Sequence, residues 1–294
     1  MKAAIFGQYY KGEAIIYINI LLNELAKYNF EVYVEHDYYK LIAPEISSEN
    51  AYKTFKSFHD LDNSFEVMFT VGGDGTFLRA ITYVRDLNIP LLGINVGRLG
   101  FLATVQKESI EKAIAHLVNK NYIIIDKTLL DVNTEYKNNE LSEINFALNE
   151  ISVSRRNTTS MITVKTYLDD EYLTSYWTDG LIIATPTGST GYSLSCGGPV
   201  ITPTTKSFVI TPIAPHNLNA RPLIIPDSTV ITLKVISREK QSMLSLDSRT
   251  TTINCNEKIT IKKSNFTIKT IQLSEHTFFK TLRNKLLWGE DRRN

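Results

Sequence analysis

The chain has 294 residues, is 43% hydrophobic and carries a formal net charge of +1. This length accommodates two hydrophobic cores, and a near-neutral chain without a long basic run argues against a nucleic-acid-binding surface. The apolar runs are too short for a membrane span, and the N-terminus shows no secretory signal. Because Cys196 and Cys255 have neither disulfide nor metal-ligand spacing, we expect a reduced, cytoplasmic setting.

The first 120 residues alternate between apolar runs typical of strands and amphipathic segments typical of helices. The pattern predicts strands at residues 3–6, 31–35, 65–71 and 90–95. It predicts helices at residues 15–28, 76–84 and 109–120, and the apolar residues of the first and the last of these follow helical spacing. Alternation of this kind favours a mostly parallel sheet covered by helices.

A glycine-rich loop, Gly-Gly-Asp-Gly-Thr at residues 72–76, joins one predicted strand to the next helix. Free backbone N–H groups and the helix dipole attract phosphate at such a junction, and glycines let the ligand approach closely. The carboxylate of Asp74 repels phosphate, so it needs another purpose, such as deprotonating a hydroxyl or orienting magnesium. The alternative is a tight turn in which Asp74 is only the helix N-cap. The loop matches neither the Walker nor the dinucleotide-binding glycine signature.

From about residue 122 the pattern changes to short strands. Ile231, Leu233 and Val235 alternate with other residues, and strands are also predicted at 144–148 and 181–184. Residues 167–173 are typical of a hairpin around Asp169 and Asp170. No long helix is predicted before residues 277–288.

A second motif, at residues 178–199, is dense in hydroxyls and glycines. Small hydroxyls and free N–H groups can bind ribose and phosphate oxygens, and Tyr192 offers a stacking face with a polar tip. The alternative is a structural turn whose hydroxyls are buried and bonded internally.

In these motifs the chain resembles the NAD kinases. The resemblance also includes residues 95–102 (Asn-Val-Gly-Arg-Leu-Gly-Phe-Leu), 148–150 (Leu-Asn-Glu), 212–222 and the late Asp247. The loop at 72–76 is less specific, since lipid kinases and phosphofructokinases share a version of it. The resemblance implies a Rossmann-like α/β domain at 1–121, a β-sandwich-like NAD-binding domain at 122–275 and a segment at 276–294 returning to the first domain. It places the ligand site in the crevice between the two domains.

The resemblance also implies roles for individual residues. Asp74 would accept the proton of the adenosine-ribose 2′-hydroxyl, and no residue is assigned to a metal. The residues expected to line the ATP phosphates are Gly72, Gly73, Gly75 and Thr76. Those expected to bind NAD are Asp74, Gly75, Arg79, Phe101, Asn149, Glu150, Asp179, Thr190, Gly191, Tyr192, Ser193, Leu194, Ser195 and Ala214.

Some of these positions have plain structural alternatives. Arg79 is also typical of a solvated helix position, Phe101 of a core residue, and Asn149 and Glu150 of a strand end. His216, between Pro215 and Asn217, is more typical of a bonded structural residue than of a catalytic base, and we assign it no chemistry.

The implied reaction is transfer of the γ-phosphoryl group of ATP to the 2′-hydroxyl of the adenosine ribose of NAD, giving NADP, with Mg²⁺ or another divalent cation accompanying ATP. The expected partners are these small molecules and further copies of the chain, as a homotetramer or homodimer, but neither nucleic acid nor membrane. The alternatives are a lipid or sugar kinase that shares the glycine-rich loop, and a non-catalytic NAD-sensing module.

Two positions depart from the family pattern. Arg249 stands where a glutamine is common, and this cation would meet a phosphate of the dinucleotide or face solvent. Trp177 stands where relatives have glycine or basic residues, near the expected nicotinamide end.

Overall fold

The computed structural model describes residues 1–8, 14–47, 52–97, 99–136, 143–156, 160–274 and 277–287. The chain forms two compact units. The first comprises Met1–Asp126 and Ile268–Asn294, and the second comprises Lys127–Thr267.

The first unit has a parallel sheet with strand order β5-β4-β1-β2-β3, and β6 pairs with β5. Because β1 is central, the strand order reverses between β1 and β4, and ligands of such sheets bind at the carboxyl ends of the strands at this reversal. The strands are β1 (Lys2–Gly7), β2 (Glu31–Glu35), β3 (Lys53–Phe55), β4 (Val67–Gly72), β5 (Leu91–Asn95) and β6 (Val105–Gln106).

Helices pack on this sheet through their apolar faces. In α1 the buried residues Ile18, Leu21, Leu22 and Leu25 follow the helical spacing, as the sequence predicts. They join the sheet residues in one hydrophobic core. The helices of this unit are α1 (Ala14–Lys27), α2 (His36–Ile42), α3 (Asp74–Val84), α4 (Ile110–Val118) and, from the end of the chain, α6 (Phe278–Leu286), while the short α5 (Tyr192–Ser195) belongs to the second unit.

The four strands and three helices predicted for the first 120 residues are confirmed, with small shifts at their ends. The sequence analysis missed two elements, α2 and β3. The seven-residue α2 is too short for a clear apolar period, and its start depends on the Glu35 carboxylate, which accepts a hydrogen bond from the Tyr38 N–H at 2.8 Å.

The second unit consists of antiparallel strands in two sheets. One sheet has the order β14-β13-β12-β9-β16-β17, and the other contains β11-β10-β15-β18 together with the pair β7 and β8. Buried residues from both sheets form one core, as in a β-sandwich. The strands are β7 (Tyr122–Thr134), β8 (Phe146–Ala147), β9 (Glu150–Ser154), β10 (Ile162–Leu168), β11 (Glu171–Thr178), β12 (Gly180–Ala184), β13 (Ser207–Ile213), β14 (Leu223–Pro226), β15 (Ile231–Ile236), β16 (Gln241–Leu246), β17 (Arg249–Asn254) and β18 (Lys258–Leu273).

The hairpin predicted at residues 167–173 is confirmed. Leu168 pairs with Glu171, and the two turn residues Asp169 and Asp170 have φ values of 48° and 67°. Two consecutive residues with positive φ are typical of a type I′ turn, whose twist matches that of the strands.

Two expectations for the second unit are wrong. Not all of its strands are short, because β7 has 13 residues and β18 has 16. Each of these two strands begins in one unit and ends in the other. The strand predicted at 144–148 is reduced to Phe146–Ala147, because the N–H of Leu148 donates to the Asp247 carboxylate rather than to a strand.

The final helix, α6, confirms the helix predicted from residue 277, although residue 288 of that prediction lies outside the described residues. Thr277 is its N-cap, and its hydroxyl accepts a hydrogen bond from the Lys280 N–H at 3.3 Å. None of the helices in the described part of the chain is long and apolar enough to cross a membrane.

Candidate active site

Asp74 lies where β4 gives way to α3. Gly73 is the N-cap of this helix and Asp74 is its first residue, so the alternative that Asp74 is only the N-cap is wrong. Its carboxylate instead accepts three backbone hydrogen bonds, from Phe101 to Oδ2 at 2.8 Å and from Leu102 and Ala103 to Oδ1 at 3.0 Å each. Asp74 therefore holds the start of α3 against the segment that follows β5.

Gly100 makes this arrangement possible. A Cβ at Gly100 would lie 1.8 Å from Asp74 Oδ1, so a larger residue would displace the carboxylate. At Gly73 and Gly75, by contrast, an added Cβ would meet no atom within 4 Å. The backbone of the glycine loop is therefore open to a ligand, and the α3 N-terminus beside it favours an anion.

Thr76 connects the loop to β1 at the point where the strand order reverses. Its buried hydroxyl donates to Gln8 Oε1 at 3.0 Å, and its N–H donates to the Gly73 carbonyl at 3.0 Å. Both polar groups of Thr76 that could face a phosphate are thus bonded within the protein. Arg79, further along α3, is exposed.

The C-terminal helix also reaches the Asp74 carboxylate. Lys285 Nζ lies 3.9 Å from Asp74 Oδ2 and 4.8 Å from the centre of the Phe101 ring. The Phe101 ring lies 6.1 Å from that of Phe278 on the same helix. Phe101 is therefore half-buried between the loop and α6.

A second cluster, in the second unit, is organised by Asp247. This half-buried carboxylate accepts hydrogen bonds from three consecutive N–H groups, those of Leu148 at 3.0 Å, Asn149 at 2.7 Å and Glu150 at 3.2 Å. Burial raises the pKa of Asp247, and these N–H groups partly oppose that rise. Asp247 thereby fixes the backbone from which the Asn149 and Glu150 side chains project.

Asn149 and Glu150 each carry a buried acceptor atom. Asn149 Oδ1 and Glu150 Oε2 have no hydrogen-bond partner among the described residues. Buried polar atoms are nearly always paired, so these two acceptors are available to a group that supplies hydroxyl or amino donors. Burial, reinforced by the neighbouring Asp247 charge, raises the pKa of Glu150 to about 7, while a hydrogen bond from the Tyr192 backbone opposes this rise.

The motif at 178–199 supplies fewer free hydroxyls than its composition suggests. The Ser193 hydroxyl, fully buried, is bonded to that of Thr211 at 2.8 Å, and the Thr190 hydroxyl donates to the Thr187 carbonyl at 3.1 Å. Both hydroxyls are therefore bonded within the protein, as the structural alternative expects. Tyr192, which is 48% exposed, begins the four-residue helix α5 (Tyr192–Ser195), on which Leu194 is half-buried and Ser195 exposed.

Asp179, Tyr192 and Ala214 lie around the same cluster. Asp179 forms an ion pair with Arg155 at 2.9 Å, and its N–H donates to the Ile213 carbonyl, next to Ala214. Burial and the Cys196 thiol raise the pKa of Tyr192, and the charges of Asp179 and Glu150 raise it further. Gly191 lies beside Glu150, since a Cβ there would be 2.9 Å from Glu150 Oε2.

The two positions that depart from the family pattern, Arg249 and Trp177, both contact other groups of the protein. Arg249 is half-buried, and its guanidinium donates to the Ile144 carbonyl at 2.7 Å and to the Phe146 carbonyl, so part of its donor capacity is used by the backbone. Trp177 is 46% exposed, and its ring lies 4.2 Å from that of His216. The His216 N–H donates to the Trp177 carbonyl at 2.8 Å, in line with the structural role expected for this histidine.

Several contributors were not identified as site residues from sequence. They are Gln8, Gly100, Arg155, Asp247 and Lys285. Gly100 and Asp247 belong to the motifs that carry the family resemblance, and these motifs could have identified them from the sequence. Lys285 had no such signal, because it follows Asp74 by more than 200 residues.

Two protein-family models together match most of the chain. The ATP-NAD kinase N-terminal domain matches residues 4–122, and the ATP-NAD kinase C-terminal domain matches residues 148–273. An NAD kinase from Christiangramia forsetii is 55% identical over 294 residues, with 100% of both chains covered.

Solved structures agree with this assignment. The crystal structure of an NAD kinase from Archaeoglobus fulgidus in complex with ATP has a TM-score of 0.77 and 25% identity, covering 98% of this chain and 99% of that one. The crystal structure of yeast NADH kinase complexed with NADH has a TM-score of 0.89 over 99% of this chain and 88% of that one; at 24% identity it supports the fold alone. The expected fold class, an N-terminal α/β region followed by a β-rich region, is confirmed. The chain belongs to the NAD kinase family of phosphotransferases.

Proposed function

We propose that Asp74 is the general base with which this enzyme transfers the γ-phosphoryl group of ATP to the 2′-hydroxyl of the adenosine ribose of NAD. Membership in the NAD kinase family is the observation that supports the activity, and the hydrogen bonds of Asp74 support the role of this residue. A carboxylate offers about four acceptor positions. Three are occupied by N–H groups, and the fourth, on Oδ2, is left for the substrate hydroxyl.

In this reaction Asp74 takes the hydroxyl proton while the ribose oxygen forms a bond to the γ-phosphorus and the bond to the leaving ADP breaks. The transition state is loose, so the proton moves late and a weak base is adequate. The proton then passes from Asp74 to solvent. General-base assistance of this kind contributes about 10²–10⁴-fold to the rate.

The donor phosphates are assigned to the open glycine loop. Gly73 and Gly75, which follow Gly72 at the end of β4, expose backbone at the N-terminus of α3, where the helix dipole favours anions. Thr76 contributes through its bond to Gln8, which supports the loop. Mg²⁺ enters with ATP as part of the substrate, because Mg²⁺ in phosphoryl-transfer sites relies largely on phosphate oxygens and water.

The NAD-binding role is assigned to the cluster around Asn149 and Glu150. Their unpartnered acceptor atoms suit ribose hydroxyls or the adenine amino group. The exposed face of Tyr192 suits stacking on a base, and Asp179 suits the nicotinamide end. In the motif at 178–199 the contribution of backbone and shape then exceeds that of the hydroxyls of Thr190, Ser193 and Ser195. The margins of the two clusters are assigned to Ala214, Phe101 and Arg79.

A coupled assay for NADP tests the proposal. The purified protein is expected to form NADP from NAD, ATP and Mg²⁺, and to leave sugar and lipid acceptors unphosphorylated. In the Asp74→Asn variant kcat should fall at least about 10²-fold while NAD still binds by calorimetry. Normal turnover by the Asp74→Asn variant would contradict the base assignment, and failure of the wild-type protein to form NADP would contradict the whole proposal.

A cytoplasmic location and a homodimer or homotetramer are further proposals, drawn from the family resemblance. Analytical ultracentrifugation measures the second of these directly.

A further inference from the structure

The donor site as described so far has no cation. The loop at 72–76 contains the anionic Asp74 and no lysine, unlike a Walker loop. Asp74 would therefore repel a triphosphate that approaches the open backbone of Gly73 and Gly75. Apart from the Mg²⁺ that accompanies ATP, only backbone N–H groups would offset this repulsion.

One cation does lie beside this carboxylate. In the described part of the chain, Lys285 is the side chain that forms an ion pair with Asp74, at 3.9 Å from Oδ2. Its ammonium also lies 4.8 Å from the centre of the Phe101 ring, a position that favours a cation electrostatically. The Lys285 side chain is 37% exposed, so it is accessible to a ligand.

The α6 helix holds this lysine in place through contacts other than the ion pair. Phe278 packs against Phe101, and Thr281 and Leu282 are buried. The Phe101 backbone itself donates to Asp74. The helix, the aromatic ring and the carboxylate thus form one connected structure around the start of α3.

We propose that Lys285 binds the phosphate chain of the donor, so that the C-terminal helix is part of the donor site. At 3.9 Å from Oδ2 the ammonium pairs with the Asp74 charge without a hydrogen bond to it, so its three donors remain for phosphate oxygens and the fourth acceptor position of Asp74 remains for the substrate hydroxyl. The charge of Asp74 is then compensated when the triphosphate binds. This inference rests on the proposed function, because it takes the glycine loop as the donor site.

The test compares Lys285→Met, which removes the charge and keeps most of the length, with Lys285→Arg, which keeps the charge. Arg283→Gln is the matched control, since it removes one positive charge from an exposed position of the same helix. Calorimetry measures the affinity for ATP and for inorganic triphosphate without NAD. Steady-state kinetics give KM for ATP and for NAD separately.

We expect Lys285→Met to lower the affinities for ATP and for triphosphate by roughly tenfold each, because a charge-assisted hydrogen bond to phosphate is lost. KM for ATP should rise accordingly, and KM for NAD should stay within about twofold. Lys285→Arg should retain most of the affinity, and Arg283→Gln should match the wild-type protein. Equal loss for ATP and triphosphate would assign the contact to the phosphates rather than to the nucleoside.

Wild-type affinity of Lys285→Met for both probes would overturn the inference, as would an equal loss in Arg283→Gln. If Lys285→Met also melts at a lower temperature, the affinity of Lys285→Arg distinguishes a lost charge from a damaged fold. Equal losses of phosphate affinity in both Lys285 variants would count against a charge contact. These binding measurements do not need turnover. A wild-type protein that binds triphosphate through Lys285 but makes no NADP would defeat the proposed function and leave this inference standing.

Discussion

Two aspartates, one in each unit, organise the candidate clusters in the same way. Asp74 accepts hydrogen bonds from the N–H groups of residues 101–103, and Asp247 accepts them from residues 148–150. Hydrogen bonds to a charged acceptor contribute about 1.5–3 kcal/mol each. Each carboxylate therefore fixes the backbone that leads into a strand, β6 in the first unit and β9 in the second.

Gly100→Ala is expected to disrupt the Asp74 arrangement. The new Cβ would lie 1.8 Å from Oδ1, so the carboxylate or the loop must move and hydrogen bonds are lost. We expect the free energy of unfolding to fall by about 2 kcal/mol or more and kcat to fall at least about tenfold. Denaturant unfolding and the NADP assay measure these two effects.

Gly97→Ala is the matched control for this variant, because among the described residues its Cβ would meet nothing closer than Asn95 Oδ1, at 3.8 Å. It should behave like the wild-type protein. If the two alanine variants were equally stable and equally active, the close approach of Gly100 to Asp74 would matter for neither stability nor catalysis.

Glu150 gives the protein a pH dependence of known sign. Its pKa is about 7 in the folded protein against a reference value of 4.5, because of burial first and the Asp247 charge second. The unfolded chain therefore releases this proton at lower pH than the folded chain. The contribution of Glu150 to stability is complete below about pH 4.5, declines as the pH rises and is lost above about pH 7, a change of up to about 3 kcal/mol.

Glu150→Gln removes this titration and keeps the shape. Relative to the wild-type protein, the glutamine variant should become progressively more stable between about pH 5 and pH 8. Urea unfolding at several pH values checks this, with the difference between the two proteins at each pH as the measured quantity. Parallel stability curves would show that Glu150 does not titrate in this range.

At the scale of elements, tight connections between strands and their neighbours set the geometry. The β4-loop-α3 junction presents open backbone, and the β10–β11 hairpin turns through two residues with positive φ. Asp169 suits its place because its carboxylate accepts a hydrogen bond from the Val230 N–H at 2.8 Å. Asp170 is exposed and has a φ of 67°, a conformation that glycine adopts at lower cost.

Asp170→Gly should therefore stabilise the hairpin by about 0.5–1 kcal/mol, since Asp-Gly is a preferred pair for a type I′ turn. Thermal unfolding measures the gain. Asp169→Gly is the paired variant, and it should be destabilising because the bond to Val230 is lost. If both changes had the same effect, the side chains would contribute nothing to the turn.

At the scale of the whole molecule, each unit has its own core and its own cluster of candidate residues. The glycine loop, Asp74 and Lys285 belong to the first unit, while Asn149, Glu150 and Asp247 belong to the second. The proposed functions divide in the same way, with donor phosphates assigned to the first unit and NAD largely to the second. This division makes the two Michaelis constants separable by mutation.

Asn149→Ala should raise KM for NAD about tenfold or more and leave KM for ATP within about twofold, because Asn149 Oδ1 is a buried acceptor without a partner among the described residues. Asn145→Ala is the control. The Asn145 side chain donates to the Val132 carbonyl at 3.1 Å, so its loss should lower the melting temperature without changing either constant. The same result at both positions would return Asn149 to a structural role.

The sequence alone determined the features that depend on neighbouring residues. The helical spacing of α1, the strand-loop-helix junction at residues 72–76 and the hairpin around Asp169 were predictable, because local periodicity and turn chemistry specify them. The motifs also carried the family resemblance. The seven-residue α2 and the three-residue β3 were missed, since such short elements are stabilised by packing and caps rather than by a pattern.

Only the tertiary structure decided which partner each polar group has. The Asp74 carboxylate accepts hydrogen bonds from residues 27 to 29 positions away in the sequence, and the Asp247 carboxylate from residues 97 to 99 positions away. Arg249 turned out to bond backbone carbonyls, and the Ser193 hydroxyl bonds Thr211. Residue type specifies what a side chain can donate or accept, but the order of strands in the sheets determines which distant groups come within hydrogen-bonding distance.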